Sequence, residues 1–147
     1  MSAFTTAEIE YLRGQPLGRL ATVGPDGRPR VKPVGFLLDP DTGELVVGGY
    51  VGSGMATSKK FRDVAATGVA ALVVDDLAAV DPWTPRGVEV RGLAEARTAG
   101  GAEIGRRLGA SFDFDPAWIL VRPTRIVSWG IDGSSYEVSA RDAVRVG

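Results

Sequence analysis

Lysine occurs at three positions in this chain, Lys32, Lys59 and Lys60, and two of them are adjacent. The pair follows the glycine-rich run Gly48-Gly49-Tyr50-Val51-Gly52-Ser53-Gly54 and opens the segment Thr57-Ser58-Lys59-Lys60-Phe61-Arg62-Asp63-Val64. That segment reads as the first turn of a helix. Hydroxyls, free backbone N–H groups and ammonium ions then converge at a helix N-terminus, where an anion is favoured. A phosphate there gains charge-assisted hydrogen bonds and a helix-terminus contribution of roughly 0.3–1 kcal/mol. The competing reading is a solvated basic helix face with Thr57 as a plain N-cap. A second candidate is Pro33-Val34-Gly35-Phe36, just after Lys32. Glycine inside a strand marks either a bulge or the close approach of a ligand, and a flat ring could lie against Val34-Gly35. Trp83, Trp118 and Trp129 offer flat apolar faces with one N–H each. Tryptophan is more often core than ligand contact, but Trp83 sits in a proline-bounded loop.

Composition narrows the chemistry further. The 147 residues contain no Cys and no His. Disulfides, thiolate nucleophiles, His-based triads and the usual zinc sites are therefore excluded. No EF-hand-like acidic spacing is present, no metal site is expected, and no catalytic side chain can be named. If the chain is an enzyme, a cofactor carries the chemistry. The formal net charge of −1 provides no field for nucleic acid or an anionic membrane, so an anion site must be local. No apolar run approaches the roughly 20 residues of a membrane span, and the first residues lack signal-peptide character. A cytoplasmic protein is expected.

The elements that must position these residues follow from pattern. Thr5 and Glu8 form a capping-box pair opening a helix over 6–13, which Gly14 and Pro16 end. Strands are expected at 18–23, 29–38 and 44–49, joined by turns at 24–27 and 39–43; consecutive in sequence, they predict a meander. A helix is expected over 57–66, with Phe61, Val64 and Ala65 as its apolar face. The strand from Val69 ends at Asp75-Asp76, two solvated turn residues. The prolines exclude regular structure over 81–86. The run 87–96 alternates as a half-buried strand. A helix over 102–108 and two strands, 118–121 and 124–129, broken at Pro123, complete the chain. The tail from Gly133 is weakly patterned. About six strands with few short helices in one domain, residues 1–147, predict a mainly β protein, a small antiparallel barrel that leaves no exposed edges.

Taken in order, several of these segments resemble a known superfamily. They are Gly18-Arg19-Leu20-Ala21-Thr22-Val23 with its turn, Pro33-Val34-Gly35-Phe36, Thr57-Ser58-Lys59-Lys60-Phe61-Arg62, Val88-Glu89-Val90-Arg91-Gly92-Leu93-Ala94 and Arg125-Ile126-Val127-Ser128-Trp129-Gly130. The series resembles the flavin- and deazaflavin-dependent oxidoreductases of the pyridoxamine 5′-phosphate oxidase-like superfamily. It is similar in particular to their small actinobacterial branch that uses coenzyme F420, a deazaflavin.

The resemblance implies a six-stranded antiparallel split β-barrel, the FMN-binding split barrel with Greek-key-like connections. It implies a homodimer with cofactor sites at the subunit interface. Pro33, Val34, Gly35 and Phe36 match the strand that contacts the cofactor, and Thr57, Ser58, Lys59 and Lys60 match the phosphate-binding segment. Trp129 and Trp83 match positions that border the ring, Trp129 from either subunit. The basic C-terminal pattern of relatives that oxidise pyridoxamine phosphate is missing here, so that substrate is not expected. The expected activity is hydride transfer from reduced coenzyme F420 to a small unsaturated organic acceptor. The alternatives are an FMN-dependent flavoprotein of the same fold and a non-catalytic flavin or deazaflavin carrier. On this reading, Lys59→Ala weakens cofactor binding.

Overall fold

A computed structural model describes residues 2–132 and 136–143, and among these the chain forms eight β-strands and three α-helices. The chain opens with helix α1, Thr6–Arg13. Its capping box is complete: the Glu8 N–H donates to Thr5 Oγ1 at 3.1 Å, and the Thr5 N–H donates to Glu8 Oε1 at 2.8 Å. Strands β1, Gly18–Val23, and β2, Pro29–Val34, form an antiparallel hairpin in which Leu20 faces Lys32 and Thr22 faces Arg30. After Gly35-Phe36 come the short β3, Leu37–Leu38, and β4, Leu45–Tyr50. A single 3-10 turn, Met55–Thr57, leads into α2, Lys59–Thr67. Then follow β5, Val69–Ala79; β6, Thr84–Arg97; α3, Gly101–Leu108; β7, Phe114–Trp129; and β8, Val138–Asp142.

The strands form one antiparallel sheet in the order β2-β1-β5-β6-β7-β4-β3, with β8 on the C-terminal half of β7. β2 and β3 lie at opposite ends of this order, yet only Gly35 and Phe36 separate them in the chain. Three Cα–Cα steps span at most about 11 Å. The sheet must therefore curl until its two edges nearly meet. The hydrogen-bonded path stays open, because β2 and β3 do not pair, and the barrel is split at Gly35-Phe36.

Alternation along the strands fills the interior. Leu20, Leu45, Val47, Leu72, Val74, Val88, Val90, Ile119, Val121 and Ile126 are all within one per cent of full burial. Each such side chain contributes roughly 1.5–3 kcal/mol on leaving water. A smaller cluster on the outer face, Val46, Phe114, Trp118 and Leu120, packs under Ile104 and Leu108 of α3. Trp118 is core, with its indole N–H donating to the Ala99 carbonyl at 2.9 Å.

Several expectations need correction. Eight strands are present rather than six, and the three consecutive strands are no meander: β1–β2 and β3–β4 are separate hairpins, and β4 pairs with β7. β5 does not end at Asp75-Asp76 but continues to Ala79, with Asp76 held by Arg86 at 2.8 Å. β6 begins at Thr84, so Pro85 lies within it, at the open end of the β5–β6 ladder opposite Leu77. Pro123 does not break β7. The register with β6 shifts between Arg91 and Gly92, leaving Thr124 as an extra, bulged residue. Gly92 permits this close approach, since a Cβ there would stand 2.2 Å from the Arg122 carbonyl oxygen. Finally, the weakly patterned tail supplies β8, while its residues 133–135 and 144–147 lie outside the described residues. Among the described residues no helix is long and apolar enough to cross a membrane.

Candidate functional site

The hairpin register determines which side chains of β2 point inward. Directly opposite residues of an antiparallel pair share a face. Arg30 and Lys32 therefore share the face of buried Thr22 and Leu20, at the end of the barrel where α2 packs on β1. α2 presents Phe61 and Val64 to the core, and this packing fixes its N-terminus beside β2.

Asp63 joins the two elements. It is 1% exposed and accepts the Thr22 hydroxyl at 2.9 Å and Arg30 Nη1 at 3.0 and 3.2 Å. Lys59 Nζ stands 3.9 Å from the same carboxylate, one helical turn before it. Lys60 is half-buried, and its ammonium has no ion-pair partner among the described residues. Burial, and then repulsion from Lys32, push its pKa below the ordinary lysine value. The structure thus brings Lys32, Lys59 and Lys60, all the lysines of the chain, to one place together with Arg30.

Ser58, not Thr57, is the N-cap of α2, its Oγ accepting from the Phe61 N–H at 3.4 Å. The Ser58 hydroxyl donates to the Met55 carbonyl at 2.6 Å, and the Thr57 hydroxyl donates to the Gly54 carbonyl at 3.0 Å. Neither hydroxyl hydrogen is free for an anion. The open donors are the Lys59 and Lys60 backbone N–H groups, which precede the first intrahelical donor, the Arg62 N–H bound to the Ser58 carbonyl, and the Lys60 ammonium.

The strand segment lies at the split. Pro33 is exposed, Val34 is 7% exposed, and Phe36 packs half-buried against the core. A Cβ on Gly35 would meet nothing within 4 Å. The backbone there is uncovered, with room for a flat group. The two tryptophans lie elsewhere. Trp83, 68% exposed, stands on the β5–β6 connection. Trp129 ends β7, packed on Gly87, and β1, β5 and β6 lie between it and β2 in the sheet. The cleft beside it, lined by Ser128, Glu137 and Ser139 among others, holds about 90 Å³, far below the roughly 300 Å³ where ligand pockets begin. Within one chain neither tryptophan meets Gly35 along the sheet.

Sequence reasoning missed Arg30, Lys32 and Asp63 as members of this cluster. A signal was available: Arg30 and Lys32 are two apart on a strand whose turn at 24–27 sets the register, and Asp63 lies one turn beyond Lys59.

Comparison with known proteins agrees with this architecture. The family pattern of pyridoxamine 5′-phosphate oxidase matches residues 4–129. The chain is 44% identical over 140 residues to a 5a,11a-dehydrotetracycline/5a,11a-dehydrooxytetracycline reductase of Streptomyces rimosus, covering 95% of this chain and 92% of that one. Among solved structures, a pyridoxamine 5′-phosphate oxidase-related, FMN-binding protein of Nostoc punctiforme superposes with a TM-score of 0.56 at 13% identity, covering 94% of each chain. A haem-binding protein of Mycobacterium smegmatis superposes with a TM-score of 0.64 at 20% identity, over 95% of this chain and 59% of that one. At such identities the two structures share the fold. With the family pattern running from α1 to the end of β7 through both the split and the cation cluster, this chain belongs to the pyridoxamine 5′-phosphate oxidase family.

Proposed function

We propose that the chain is a reductase that binds a flavin-type cofactor at the β2–α2 junction. The ring lies along Val34-Gly35-Phe36, and the phosphate sits against the Lys59 and Lys60 N–H groups and the Lys60 ammonium. One observation carries this reading: a half-buried ammonium with no ion-pair partner among the described residues and two open N–H donors stand at the junction with strand β2, whose continuation at Gly35 is uncovered. These residues fit a phosphate joined to a flat ring. When bound and reduced, such a ring supplies a hydride to an electrophilic carbon. The protein's part is to hold the phosphate, fix the ring on the strand and exclude water.

The relative from Streptomyces rimosus supports the acceptor class. Its name describes reduction of a dehydro compound with a polycyclic skeleton. We infer a conjugated carbon–carbon double bond in a flat polycyclic molecule as the substrate here. FMN is the first cofactor to test, because a structural relative is named as an FMN binder. Coenzyme F420 is the second reading. Even with the Asp63 carboxylate counted against them, the four cations at the junction exceed what one phosphate neutralises and would suit its longer anionic tail. Haem, bound by another relative, is disfavoured by a chain with no His or Cys, the common axial ligands besides Met and Tyr.

The expected assembly is a homodimer. Ala21, Val31 and Ala71 share the outer face of neighbouring strands, as do Val69 and Leu93. Val31 is 64%, Val69 40% and Leu93 48% exposed. A second copy covering this face would bury them and could bring its Trp83 or Trp129 to the ring.

The test is direct. The protein is titrated with FMN and with coenzyme F420. The reduced complex is then mixed anaerobically with dehydrotetracycline-type and simpler enone acceptors while the cofactor spectrum is followed. Acceptor-dependent reoxidation is expected. Binding without acceleration by any acceptor would leave a carrier, and no binding of either cofactor would end the flavin reading.

A further inference from the structure

On the outer face beside the split, two aromatic side chains stand in solvent. Burial alternates without a break from β2 into β3: Val34, Phe36 and Leu38 pack against the interior, and Leu37 joins the outer cluster under α3. The vacant Cβ position of Gly35 therefore points outward, into open space. β4 alternates in the same phase. Val46 lies in the outer cluster, a Cβ on Gly48 would strike the Phe114 ring, and Tyr50 lies directly opposite Phe114. Tyr50 thus shares the outer face but is 65% exposed. Phe112, 47% exposed, packs on Phe114 with ring centroids 5.4 Å apart. The register of Leu37 with Val46, carried on, sets Gly35 level with Gly48, and Tyr50 lies two residues beyond, about 7 Å along the strand.

Backbone hydrogen bonds tie the two segments together. The Val51 N–H donates to the Asp113 carbonyl at 3.1 Å, and the Gly52 N–H donates to the Asp115 carboxylate at 3.3 Å. That carboxylate also accepts the Ala117 N–H at 3.1 Å. The chain after β4 is thus fastened to the start of β7, and both aromatics are held in place about Phe114. We propose that Tyr50 and Phe112 form a wall against which a flat polycyclic acceptor lies, next to a cofactor ring on Gly35, and that this wall sets a preference for such acceptors over small enones. It rests on the ring position and acceptor class proposed above.

Three physical points favour this occupant. Exposed phenyl and phenol rings leave apolar area in water, and a fused ring system covers it by offset or edge-to-face contact. An acceptor held only at its reacting double bond is poorly oriented, whereas contacts to its remote rings supply binding energy that fixes the reacting carbon. Position separates this patch from a contact between copies. The apolar face suited to a second copy carries Val31, Val69 and Leu93 on β2, β5 and β6, whereas Tyr50 lies on β4, beyond β7 in the sheet. A dimer formed on that face leaves Tyr50 and Phe112 open beside Gly35.

The experiment compares large and small acceptors in wild type, Tyr50→Ser, Phe112→Ser and Tyr50→Phe. KM is measured for a dehydrotetracycline-type acceptor and for cyclohexenone with the reduced cofactor bound, and tetracycline itself is titrated by fluorescence anisotropy. Each serine variant is expected to raise the polycyclic KM and weaken tetracycline about tenfold, the scale of a lost aromatic contact with its buried area. Cofactor affinity, kcat and the cyclohexenone KM are expected to hold. Tyr50→Phe is expected to match wild type, because the contact needs the ring and not the hydroxyl. Equal losses for both acceptors, or no loss for the polycyclic one, overturn the wall. So does a fall in sedimentation mass in either serine variant, which would make this face an interface between copies. A wild type that takes up neither FMN nor coenzyme F420 overturns the cofactor reading, and Tyr50-dependent binding of tetracycline by that protein leaves the wall standing.

Discussion

The two ends of the barrel treat charge in opposite ways. At the α1 end, carboxylates are buried or half-buried and matched. Glu8, 1% exposed, is held by Arg141 of β8 through two contacts and by the Thr5 N–H. Asp76 takes both Nε and Nη2 of Arg86 at 2.8 Å, with the Tyr11 hydroxyl donating at 2.8 Å. At the α2 end, two of the four cations, Arg30 and Lys59, reach the buried Asp63 carboxylate, and Lys32 and Lys60 have no ion-pair partner among the described residues. Matched charge in low dielectric holds elements together. Unmatched charge waits for a ligand. The first end ties the terminal segments to the barrel, and the second is the proposed anion site.

The contrast can be broken from either side. Glu8→Ala leaves Arg141 without its partner and removes a cap, and should cost about 3 kcal/mol of stability, read as a lower urea midpoint. Cofactor affinity of the folded protein should not change. Lys60→Met should do the reverse. It should weaken FMN binding by about 1.5–3 kcal/mol and leave the urea midpoint unchanged or slightly higher, because it removes a repelled, half-buried charge. An equal loss of stability and affinity in either variant would erase the distinction.

Gly35→Val separates ring from phosphate. The added side chain has open space in an ordinary backbone conformation, so stability should move by no more than about 0.5 kcal/mol. FMN and riboflavin should weaken by the same factor in a titration. Weakening of FMN alone would place the ring elsewhere.

The smallest expected effect is the acid limb of stability. Opposed by burial, the hydrogen bonds from Arg141 and Thr5 still hold the Glu8 carboxyl below the ordinary glutamate range. The Arg86 hydrogen bond leads in holding the Asp76 carboxyl below the ordinary aspartate range. Carboxylates with depressed folded pKa values stabilise fully above their unfolded values, and that contribution is lost as pH falls through the folded ones. The thermal midpoint should therefore decline below about pH 4.5, and Glu8→Gln should flatten the upper part of that decline.

Much of the fold was legible in the sequence because it is local. The capping box at Thr5 and Glu8, the β1–β2 hairpin and the alternation of β6 are written within a few residues of each other. What was hidden depends on partners far along the chain. β7 passes through Pro123 only because a bulge opposite Gly92 absorbs it. Asp75-Asp76 continues as strand because Arg86 and Tyr11 hold Asp76. β8 has weak periodicity and is held by pairing with β7 and by Arg141 reaching Glu8. At the candidate site, Lys59-Lys60 and Gly35 stood out as residue types. Arg30, Lys32 and Asp63 emerged only once register and helix packing brought them together, and the hydroxyls of Thr57 and Ser58 proved to be spent on backbone carbonyls.

The most direct test is a crystal structure of the protein with FMN bound. The phosphate is expected within hydrogen-bond distance of Lys60 Nζ and the Lys59 and Lys60 N–H groups, with the ring over Gly35 and Arg30 still on Asp63. A phosphate held away from the β2–α2 junction, or a ring seated against Trp129 of the same chain with Gly35 bare, would contradict the assignment of this end of the barrel as the binding site.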